Sequence, residues 1–342
     1  MKLKITEDFF LTKETSPLVV AEISANHCGN KNRFLKHILE AKKNGADLVK
    51  IQSYEENDIS MNLSKLSKNY KLKNNHKIYS KSKTPYSWHH DAFKLARKYK
   101  ITLFSSPFSL QSVELLEKLN CPIYKIASLE ITDFGLIKKV AQTYKPIIIS
   151  CGASYIKELK AALKLINKYH NKVILMYCRT SYPLNEKLSN LSSILKMKKV
   201  FKKNYIGYSD HTNNIDTSLV AGILGAKIIE KHFVIDNKKT YDSEFSIKPK
   251  QLIDLKKKLK QNCEIIGYQE PYLLKDELLK RKYRRSIYAK QNINKGEKFT
   301  NKNIISLRPK IGMCSSKYIR LINKLSKRNY KKNSPINNNE IL

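Results

Sequence analysis

The chain has few cysteines and no long hydrophobic segment, and these two absences exclude several classes of protein. Its six cysteines stand at positions 28, 121, 151, 178, 263 and 314, without a CxxC pair or a disulfide-like spacing. No apolar run approaches the ~18 residues of a membrane-spanning helix. Residues 1–8 include acidic side chains where a signal peptide needs an apolar stretch. We therefore expect a soluble, cytoplasmic protein with reduced thiols.

Acidic residues and arginine are also scarce. The chain has 29 acidic and 66 basic residues, which give a formal net charge of +37, and only 9 of the basic residues are arginine. The lysines are spread along the chain with many asparagines, which is typical of a bias toward AT-rich codons, whereas an RNA-binding surface groups arginine with aromatic residues. We expect no functional binding of nucleic acid and keep a basic nucleic-acid-binding protein as the alternative of another class. The positive field would still attract an anionic substrate.

Eight short apolar runs recur at roughly even spacing, and helical patterns separate them. Continuous apolar runs are typical of strands buried on both faces, and their alternation with helices is typical of repeated βαβ units. The runs are Val19-Val20, Leu48-Val49, Leu103-Phe104, Ile123-Tyr124, Ile147 to Ile149, Val173 to Leu175, Tyr205-Ile206 and Ile228-Ile229. Eight units predict an α/β fold, a closed (β/α)8 TIM barrel, in which polar residues at the carboxyl ends of the strands meet in one pocket.

The same patterns predict the domain organisation. Residues 1–267 form the barrel, residues 268–283 a linker, and residues 284–342, with short β-like segments, a small β-rich domain that needs another surface to pack against. Residues 55–84 are rich in Lys, Asn and Ser without a clear period, and predict a long loop at the barrel mouth. That loop is either a lid that shapes the substrate site or a solvated insertion.

Two histidines follow or end neighbouring predicted strands. His211 comes after the seventh strand and His232 after the eighth, so the barrel would bring their imidazoles close together. Two neutral imidazoles at an open mouth form an incomplete metal site that suits Mn²⁺, Co²⁺ or Fe²⁺ better than Mg²⁺. The alternative is that both are hydrogen-bonded structural histidines.

Lys50 and Lys125 lie inside apolar strands, where an ammonium group is costly to bury without a partner. We interpret them as binding a phosphate or carboxylate of the substrate. A Schiff-base lysine and a lysine paired with a structural carboxylate are the alternatives. Hydroxyl donors on the same rim are Ser105, Ser106, Ser128, Ser150 and Ser209.

Glu22 and Glu230 lie at the ends of the first and last predicted strands and are candidate acid–base groups. Either could instead be a salt-bridge partner of Lys50 or Lys231.

These residues stand in motifs that resemble a known family. The barrel motifs are Ala-Glu-Ile-Ser-Ala-Asn-His (21–27), Val-Lys-Ile-Gln (49–52), Thr-Pro-Tyr-Ser-Trp-His (84–89), Phe-Ser-Ser-Pro-Phe (104–108), Tyr-Lys-Ile-Ala-Ser-Leu-Glu-Ile-Thr-Asp (124–133), Gly-Tyr-Ser-Asp-His-Thr (207–212) and Ile-Glu-Lys-His-Phe (229–233). Segments 284–288 and 295–304, followed by Leu-Arg-Pro, resemble an antifreeze-like domain. Over about residues 15–335 the chain resembles the sialic acid synthase family.

The resemblance implies a TIM barrel joined to an antifreeze-like (SAF) domain, in a domain-swapped homodimer that condenses phosphoenolpyruvate with an amino sugar. It implies a divalent metal, Mn²⁺ with Mg²⁺ or Co²⁺ as alternatives, bound by His211 and His232. Residues implied to hold phosphoenolpyruvate are Lys50, Ser106, Lys125, Ser128 and Ser209. Residues implied to contact the sugar or the reacting centre are Glu22, Gln52, Tyr182 and Asp242, with Glu230 as a further candidate and Arg308 acting in the site of the other subunit.

Three of the motifs, Ser-Ala-Asn-His, Thr-Pro-x-x-Trp-His and Ala-Ser-Leu-Glu-Ile-Thr-Asp, resemble the branch of the family that uses a 2,4-diacetamido-2,4,6-trideoxy hexose. The alternatives are N-acetylneuraminate or legionaminate as product, and a metal-dependent hydrolase in the same barrel. Cys28, Cys151, Tyr241 and Lys310 replace residues that are usual in the family. We expect Cys28 and Tyr241 to reshape the sugar pocket.

Overall fold

The computed structural model describes residues 2–61, 70–267 and 271–338. The chain forms two compact units, Met1–Tyr268 and Gln269–Leu342. Three parts of the regions predicted from sequence lie outside the described residues: 62–69 of the predicted loop, 268–270 of the predicted linker, and 339–342 of the predicted small domain.

A short hairpin precedes the barrel in the first unit. Strands β1 (Leu3–Lys4) and β2 (Phe10–Leu11) pair antiparallel, with Leu3 opposite Leu11. Ile5 and Leu11 are buried and belong to the same apolar core as the barrel strands. The sequence analysis missed this hairpin because strands of two residues carry no periodic signal.

Eight parallel strands form a closed barrel, which confirms the predicted (β/α)8 architecture. They are β3 Leu18–Glu22, β4 Leu48–Ser53, β5 Thr102–Pro107, β6 Tyr124–Ile126, β7 Ile147–Ser150, β8 Val173–Cys178, β9 Tyr205–Asp210 and β10 Ile228–His232. Strand β10 closes the ring by pairing with β3 on one side and β9 on the other. Most strand residues are buried, because side chains fill the inside of the barrel and helices cover its outside.

Helices follow most of the barrel strands, and three of them begin after a residue whose side chain caps the helix. Their bounds are α1 Lys31–Lys43, α2 Glu56–Ile59, α3 Tyr70–Ser82, α4 Tyr86–Lys98, α5 Leu110–Lys118, α6 Phe134–Ala141, α7 Ile156–Ile166, α8 Ser192–Val200, α9 Asp216–Ile223 and α10 Pro249–Ile266. Asn30, Ser109 and Asp133 each accept a hydrogen bond from a backbone N–H in the first turn of the following helix. These caps fix where α1, α5 and α6 start.

The prediction of a long loop over residues 55–84 was wrong, because this segment contains helices α2 and α3. Its polar composition hides the helices, and tertiary contacts stabilise them instead. Asp58 accepts hydrogen bonds from the Glu55 backbone N–H at 2.9 Å and from the Tyr86 hydroxyl at 2.9 Å. In α3 the Tyr79 ring packs edge-on against Tyr54, with 6.1 Å between the ring centroids.

The second unit has its own small core. Strands β11 (Ser286–Ala289) and β12 (Ile304–Leu307) pair antiparallel, and helix α12 spans Tyr318–Leu321. Its buried apolar residues are Ile287, Ala289, Ile293, Phe299, Ile304, Met313, Leu321, Tyr330 and Ile336.

The predicted linker is not uniformly irregular, because it contains helix α11 (Lys275–Lys280). Glu277 caps this helix by accepting a hydrogen bond from the Leu274 backbone N–H at 2.8 Å, and it adds negative charge near the helix start. Across the described part of the chain, no helix combines the length and the apolar character that crossing a bilayer requires.

Candidate active site

A cavity of about 410 Å³ lies at the carboxyl ends of the barrel strands. Alternate residues of each strand face the barrel interior, so β4 contributes Lys50 and Gln52, and β10 contributes Glu230 and His232. The residues predicted from sequence that line the cavity are Lys50, Gln52, Ser106, Lys125, Ser128, Ser150, Tyr182, Ser209, His211, Glu230, His232 and Asp242. Residues separated by almost 200 positions in the chain therefore share one pocket.

Three predicted residues stand outside this lining. Ser105 was expected on the rim, but it is fully buried and its hydroxyl lies 2.6 Å from the Ser53 hydroxyl. Glu22 is fully buried beside the cavity and contacts the lining residues Lys50 and Gln52. Arg308 lies in the second unit, directly after β12.

Two lysines and two glutamates form a buried ion network beside the cavity. The Glu230 carboxylate lies 2.9 Å from the Lys50 Nζ and 3.1 Å from the Lys125 Nζ, and it accepts a hydrogen bond from the Ser209 hydroxyl at 2.9 Å. Glu22 Oε2 lies 3.2 Å from the Lys50 Nζ. The glutamates are thus counter-ions of both lysines. Pairing of a buried lysine with a carboxylate of the protein was one of the alternatives that the sequence left open. Binding of a substrate anion by the lysines stays a prediction.

The two glutamates have opposite electrostatic environments. Burial opposes ionisation of Glu230, but the Lys125 and Lys50 ammonium groups overcome it and lower the pKa of Glu230 well below the usual range. For Glu22, burial is the larger effect and raises its pKa in spite of Lys50. Gln52 Nε2 donates a hydrogen bond to Glu22 Oε1 at 3.0 Å. Glu22 is therefore suited to exchanging a proton, while Glu230 is suited to remaining charged.

His211 and His232 lie side by side, with 5.6 Å between their ring centroids. The His211 Nδ1 lies 2.7 Å from the carbonyl oxygen of Arg179, which orients the ring and leaves Nε2 on the side of Ser209. Burial, followed by the proximity of His232, lowers the pKa of His211 to about 3, so the ring is neutral. The His232 Nδ1 lies 3.2 Å from Asp242 Oδ2.

A neutral imidazole held by a backbone carbonyl through one ring nitrogen is the usual form of a metal-ligating histidine. Within residues 2–61, 70–267 and 271–338, no group of three or more His, Cys, Asp or Glu side chains is arranged around a common ion position. His211 and His232, whose ring centroids are 5.6 Å apart, would supply only two ligands, and water and substrate oxygens would have to supply the others.

Aromatic side chains surround the histidines. The Tyr182 ring lies over His211 at 4.2 Å, and the Phe245 ring lies 4.8 Å from His232, as measured between ring centroids. The sequence analysis missed Phe245, and also Tyr79 of α3, which lines the cavity from the segment predicted as a loop. Both are aromatic residues in segments that follow barrel strands, which is the one sequence signal that pointed to them. Of these rings, Tyr182 and Phe245 contact the imidazoles directly.

The opposite side of the cavity is rich in hydroxyl groups. Ser128 Oγ accepts a hydrogen bond from the Gly152 backbone N–H at 3.1 Å and lies 3.1 Å from Cys178 Sγ. The Ser106 and Ser150 hydroxyl oxygens are buried and have no hydrogen-bond partner among the residues that the structure describes. Unpaired buried hydroxyls are costly, and an anionic ligand with several oxygen atoms would satisfy them. A Cβ at Gly152 would come within 2.9 Å of Ser128 Oγ, so glycine keeps this space open.

The two unusual residues expected to shape the sugar pocket have different positions. Tyr241 lines the main cavity and is 51% exposed. Cys28 lines an adjoining cavity of about 550 Å³, together with Lys81, Lys239 and Tyr241. Tyr241 is therefore the wall that the two cavities share, and Cys28 lies behind it.

A (β/α)8 barrel with buried lysines, buried hydroxyls and two adjacent imidazoles at its mouth has the features of an enzyme active site. Residues 37–271 match the model of the NeuB family, and the chain belongs to this family. This confirms the relationship predicted from the motifs.

The relatives include synthases of three related sugar acids. The chain is 37% identical over 333 residues to the pseudaminic acid synthase of Helicobacter pylori, which covers 95% of this chain and 98% of the relative. It is 35% identical over 329 residues to the N,N'-diacetyllegionaminic acid synthase of Campylobacter jejuni, and the match covers 93% of this chain and 98% of the relative. The crystal structure of the N-acetylneuraminic acid synthetase of Leptospira borgpetersenii, in complex with citrate, superposes with a TM-score of 0.74 at 27% identity, covering 82% of this chain and 95% of that chain.

Proposed function

We propose that this protein is a pseudaminic acid synthase. It condenses phosphoenolpyruvate with 2,4-diacetamido-2,4,6-trideoxy-L-altrose and water, and gives pseudaminic acid and phosphate. The observation that carries this proposal is that three pseudaminic acid synthases are 33–37% identical to the chain over 90–95% of its length. The legionaminic acid synthase at 35% identity supports legionaminate synthase as the second candidate, and N-acetylneuraminate synthase is the third.

Phosphoenolpyruvate would bind between the lysines and the hydroxyl-rich side of the cavity. The Lys50 and Lys125 ammonium groups offset its carboxylate and phosphate charges, and Ser106, Ser128 and Ser209 donate hydrogen bonds to its oxygens. Glu230 holds both lysine side chains in place before the substrate arrives. This preorganisation lowers the cost of burying a multiply charged ligand.

His211 and His232 would hold a divalent ion, of which Mn²⁺ is the first candidate and Mg²⁺ and Co²⁺ the next. When bound there, such an ion would supply Lewis acidity toward the aldehyde oxygen of the open-chain sugar. The chain's own residues orient the sugar, because Tyr182, Gln52 and Asp242 line the same cavity.

In the proposed reaction, carbon 3 of phosphoenolpyruvate forms a bond with the aldehyde carbon of the sugar, and the aldehyde oxygen takes a proton to become a hydroxyl. Carbon 2, left electron-deficient by that bond, takes up water, which loses one proton. The C–O bond to phosphate then breaks while the new hydroxyl becomes the keto group and its proton passes to the departing phosphate. Glu22 accepts the proton of that water, because burial raises its pKa and Gln52 orients its carboxylate.

The second unit would be an antifreeze-like domain that brings Arg308 into the other subunit's barrel, in a domain-swapped homodimer. Co-expression of Glu22→Gln and Arg308→Ala tests this arrangement. If Arg308 acts in the other subunit, mixed dimers regain one intact site, and the preparation recovers about a quarter of wild-type activity. If Arg308 acts within its own subunit, the mixture stays as inactive as the separate variants.

A turnover assay tests the function as a whole. Purified protein is mixed with phosphoenolpyruvate, Mn²⁺ and either 2,4-diacetamido-2,4,6-trideoxy-L-altrose or the corresponding precursor of legionaminic or N-acetylneuraminic acid, with and without chelator. Phosphate release and product mass are measured. We expect the altrose derivative to give the highest kcat/KM. Phosphate release without any sugar would instead identify a hydrolase.

The nucleic-acid alternative has its own test. Binding of RNA or DNA would fall steeply with salt, and phosphoenolpyruvate with Mn²⁺ would leave thermal stability unchanged. We expect the opposite: stabilisation by phosphoenolpyruvate and no specific nucleic-acid complex. We also expect the protein to act in the cytoplasm, where phosphoenolpyruvate is available.

A further inference from the structure

Asp210 and Lys231 form a wholly buried ion pair beside the candidate metal site. The Lys231 Nζ lies 3.2 Å from Asp210 Oδ2, and both residues are 0% exposed. The strand register places Lys231 of β10 directly beside Asp210 of β9. Since side chains alternate along a strand, the neighbouring Ser209 and Glu230 face the cavity, whereas the ion pair faces the covering helices.

The ion pair fixes the loop after β9 by several hydrogen bonds. Asp210 accepts bonds from the Thr212 backbone N–H at 2.9 Å, the Thr217 hydroxyl at 2.7 Å and the Ser218 hydroxyl at 2.5 Å, the last two in the first turn of α9. The Lys231 ammonium donates to the carbonyl oxygen of Thr212 and lies 3.2 Å from its hydroxyl oxygen. Both peptide groups of Thr212 are therefore held.

We propose that the Asp210–Lys231 pair positions His211 and His232 for metal binding. His211 directly precedes Thr212, and His232 directly follows Lys231, so one ion pair holds the backbone beside both imidazoles. Neither charged group lines the cavity, so the pair acts through the histidines and is not itself catalytic. The inference rests on the proposed metal role of the two histidines.

A role in positioning the two histidines explains why charged residues, and not apolar ones, occupy positions 210 and 231. A buried ion pair gives little net stability compared with apolar residues of the same volume, but it can fix strand register and loop geometry. Without the Lys231 bond, the Thr212 carbonyl loses its donor and the His211 backbone gains freedom. Loss of groups that orient metal ligands typically weakens metal binding by roughly 10- to 100-fold.

The test compares thermal unfolding with Mn²⁺ affinity, measured from the electron paramagnetic resonance signal of free Mn²⁺. Asp210→Asn leaves a buried, unpaired ammonium group and should lower both the Tm and the affinity for Mn²⁺. The double variant Asp210→Asn/Lys231→Met removes both charges and should regain most of the lost Tm, because no unpaired charge remains. We expect its Kd for Mn²⁺ to stay at least 10-fold above that of the wild type, and its kcat to fall more than its affinity for phosphoenolpyruvate.

A control variant and a milder variant complete the experiment. Asp47→Asn breaks another ion pair, with Lys256, at the opposite end of the barrel, and should lower Tm without changing Mn²⁺ affinity. Ser218→Ala removes a single hydrogen bond to Asp210, and should raise the Kd for Mn²⁺ by a smaller factor even if Asp210→Asn does not fold.

The inference is overturned if the Mn²⁺ affinity of the double variant recovers together with Tm, or if Asp47→Asn weakens Mn²⁺ binding equally. If the wild type itself binds no Mn²⁺, or if His211→Gln binds it as well as the wild type, the metal proposal fails. The positioning role then falls with it. Failure of the metal proposal can be told apart from failure of the positioning role, because it is seen with the wild type and His211→Gln, in which Asp210 and Lys231 are unchanged.

Discussion

Glu230→Gln is the most direct test of the ion network at the barrel mouth. The Glu230 carboxylate is 3% exposed and contacts the ammonium groups of Lys50 at 2.9 Å and Lys125 at 3.1 Å. The substitution removes one negative charge and leaves two buried ammonium groups with the Glu22 carboxylate in contact with Lys50. The shape of the side chain and its hydrogen-bonding capacity toward Ser209 are retained.

Removing one partner of a buried ion pair costs about 3–5 kcal/mol of unfolding free energy. Glu22 still offsets part of the charge on Lys50, so we expect the lower end, about 3 kcal/mol. For a unit of this size each kcal/mol lowers Tm by roughly 2–4 °C, so Tm should fall by ~6–12 °C.

The assay is thermal unfolding followed by circular dichroism at neutral pH in a buffer without phosphate. Glu114→Gln is the matched control, because its ion pair with Lys139 lies on the surface and should contribute less than ~1 kcal/mol. Added phosphate should raise the Tm of Glu230→Gln more than that of the wild type, since it replaces the missing negative charge. A Tm equal to that of Glu114→Gln, or equal phosphate shifts in variant and wild type, would refute the role of Glu230 as a counter-ion.

The remaining predictions concern pH, proton transfer and the metal. The pKa of Glu230 is lowered from 4.5, so the stability that its ionised carboxylate contributes is complete above about pH 4.5 and is lost as the pH falls. Acid unfolding of the wild type should therefore begin at a higher pH than its stability at neutral pH alone indicates. Glu230→Gln should lack this acid-dependent loss of stability. Glu22→Gln should reduce kcat by ~10²- to 10⁴-fold in protein that is folded at the assay temperature, and wild-type turnover would exclude Glu22 as the base. His211→Gln and His232→Gln should abolish the stimulation of turnover by Mn²⁺ while keeping their circular dichroism spectra; turnover that resists both substitution and chelator would rule out the metal.

The strands could be predicted from sequence because they are buried on both faces, which gives continuous apolar runs such as Ile147 to Ile149. Helices α2 (Glu56–Ile59) and α3 (Tyr70–Ser82) could not be predicted. These helices are stabilised by contacts such as Tyr79 with Tyr54 and Asp58 with Tyr86. The partners are distant in the chain, so a periodic pattern of apolar residues does not reveal the contacts. The hairpin of β1 and β2 was missed for the same reason.

In the site, too, some features could be predicted from sequence and others could not. A lysine inside an apolar strand indicates a buried charge that needs a partner, and this marked Lys50 and Lys125 correctly as buried. Which partner they contact depended on strand register, because Glu22 pairs across from Lys50 on the adjacent strand. Phe245 carried no comparable signal, since an aromatic residue in a loop is common.

The amino-acid sequence by itself determined the barrel, the family and the set of polar residues at the strand ends, because burial and short motifs leave local signatures. Only the tertiary structure decided how these residues act on one another: burial outweighs Lys50 at Glu22, two ammonium groups outweigh burial at Glu230, and a separate ion pair holds the loop beside both histidines. Those outcomes depend on distances of about 3 Å between residues from different strands, and closing the barrel is what sets these distances.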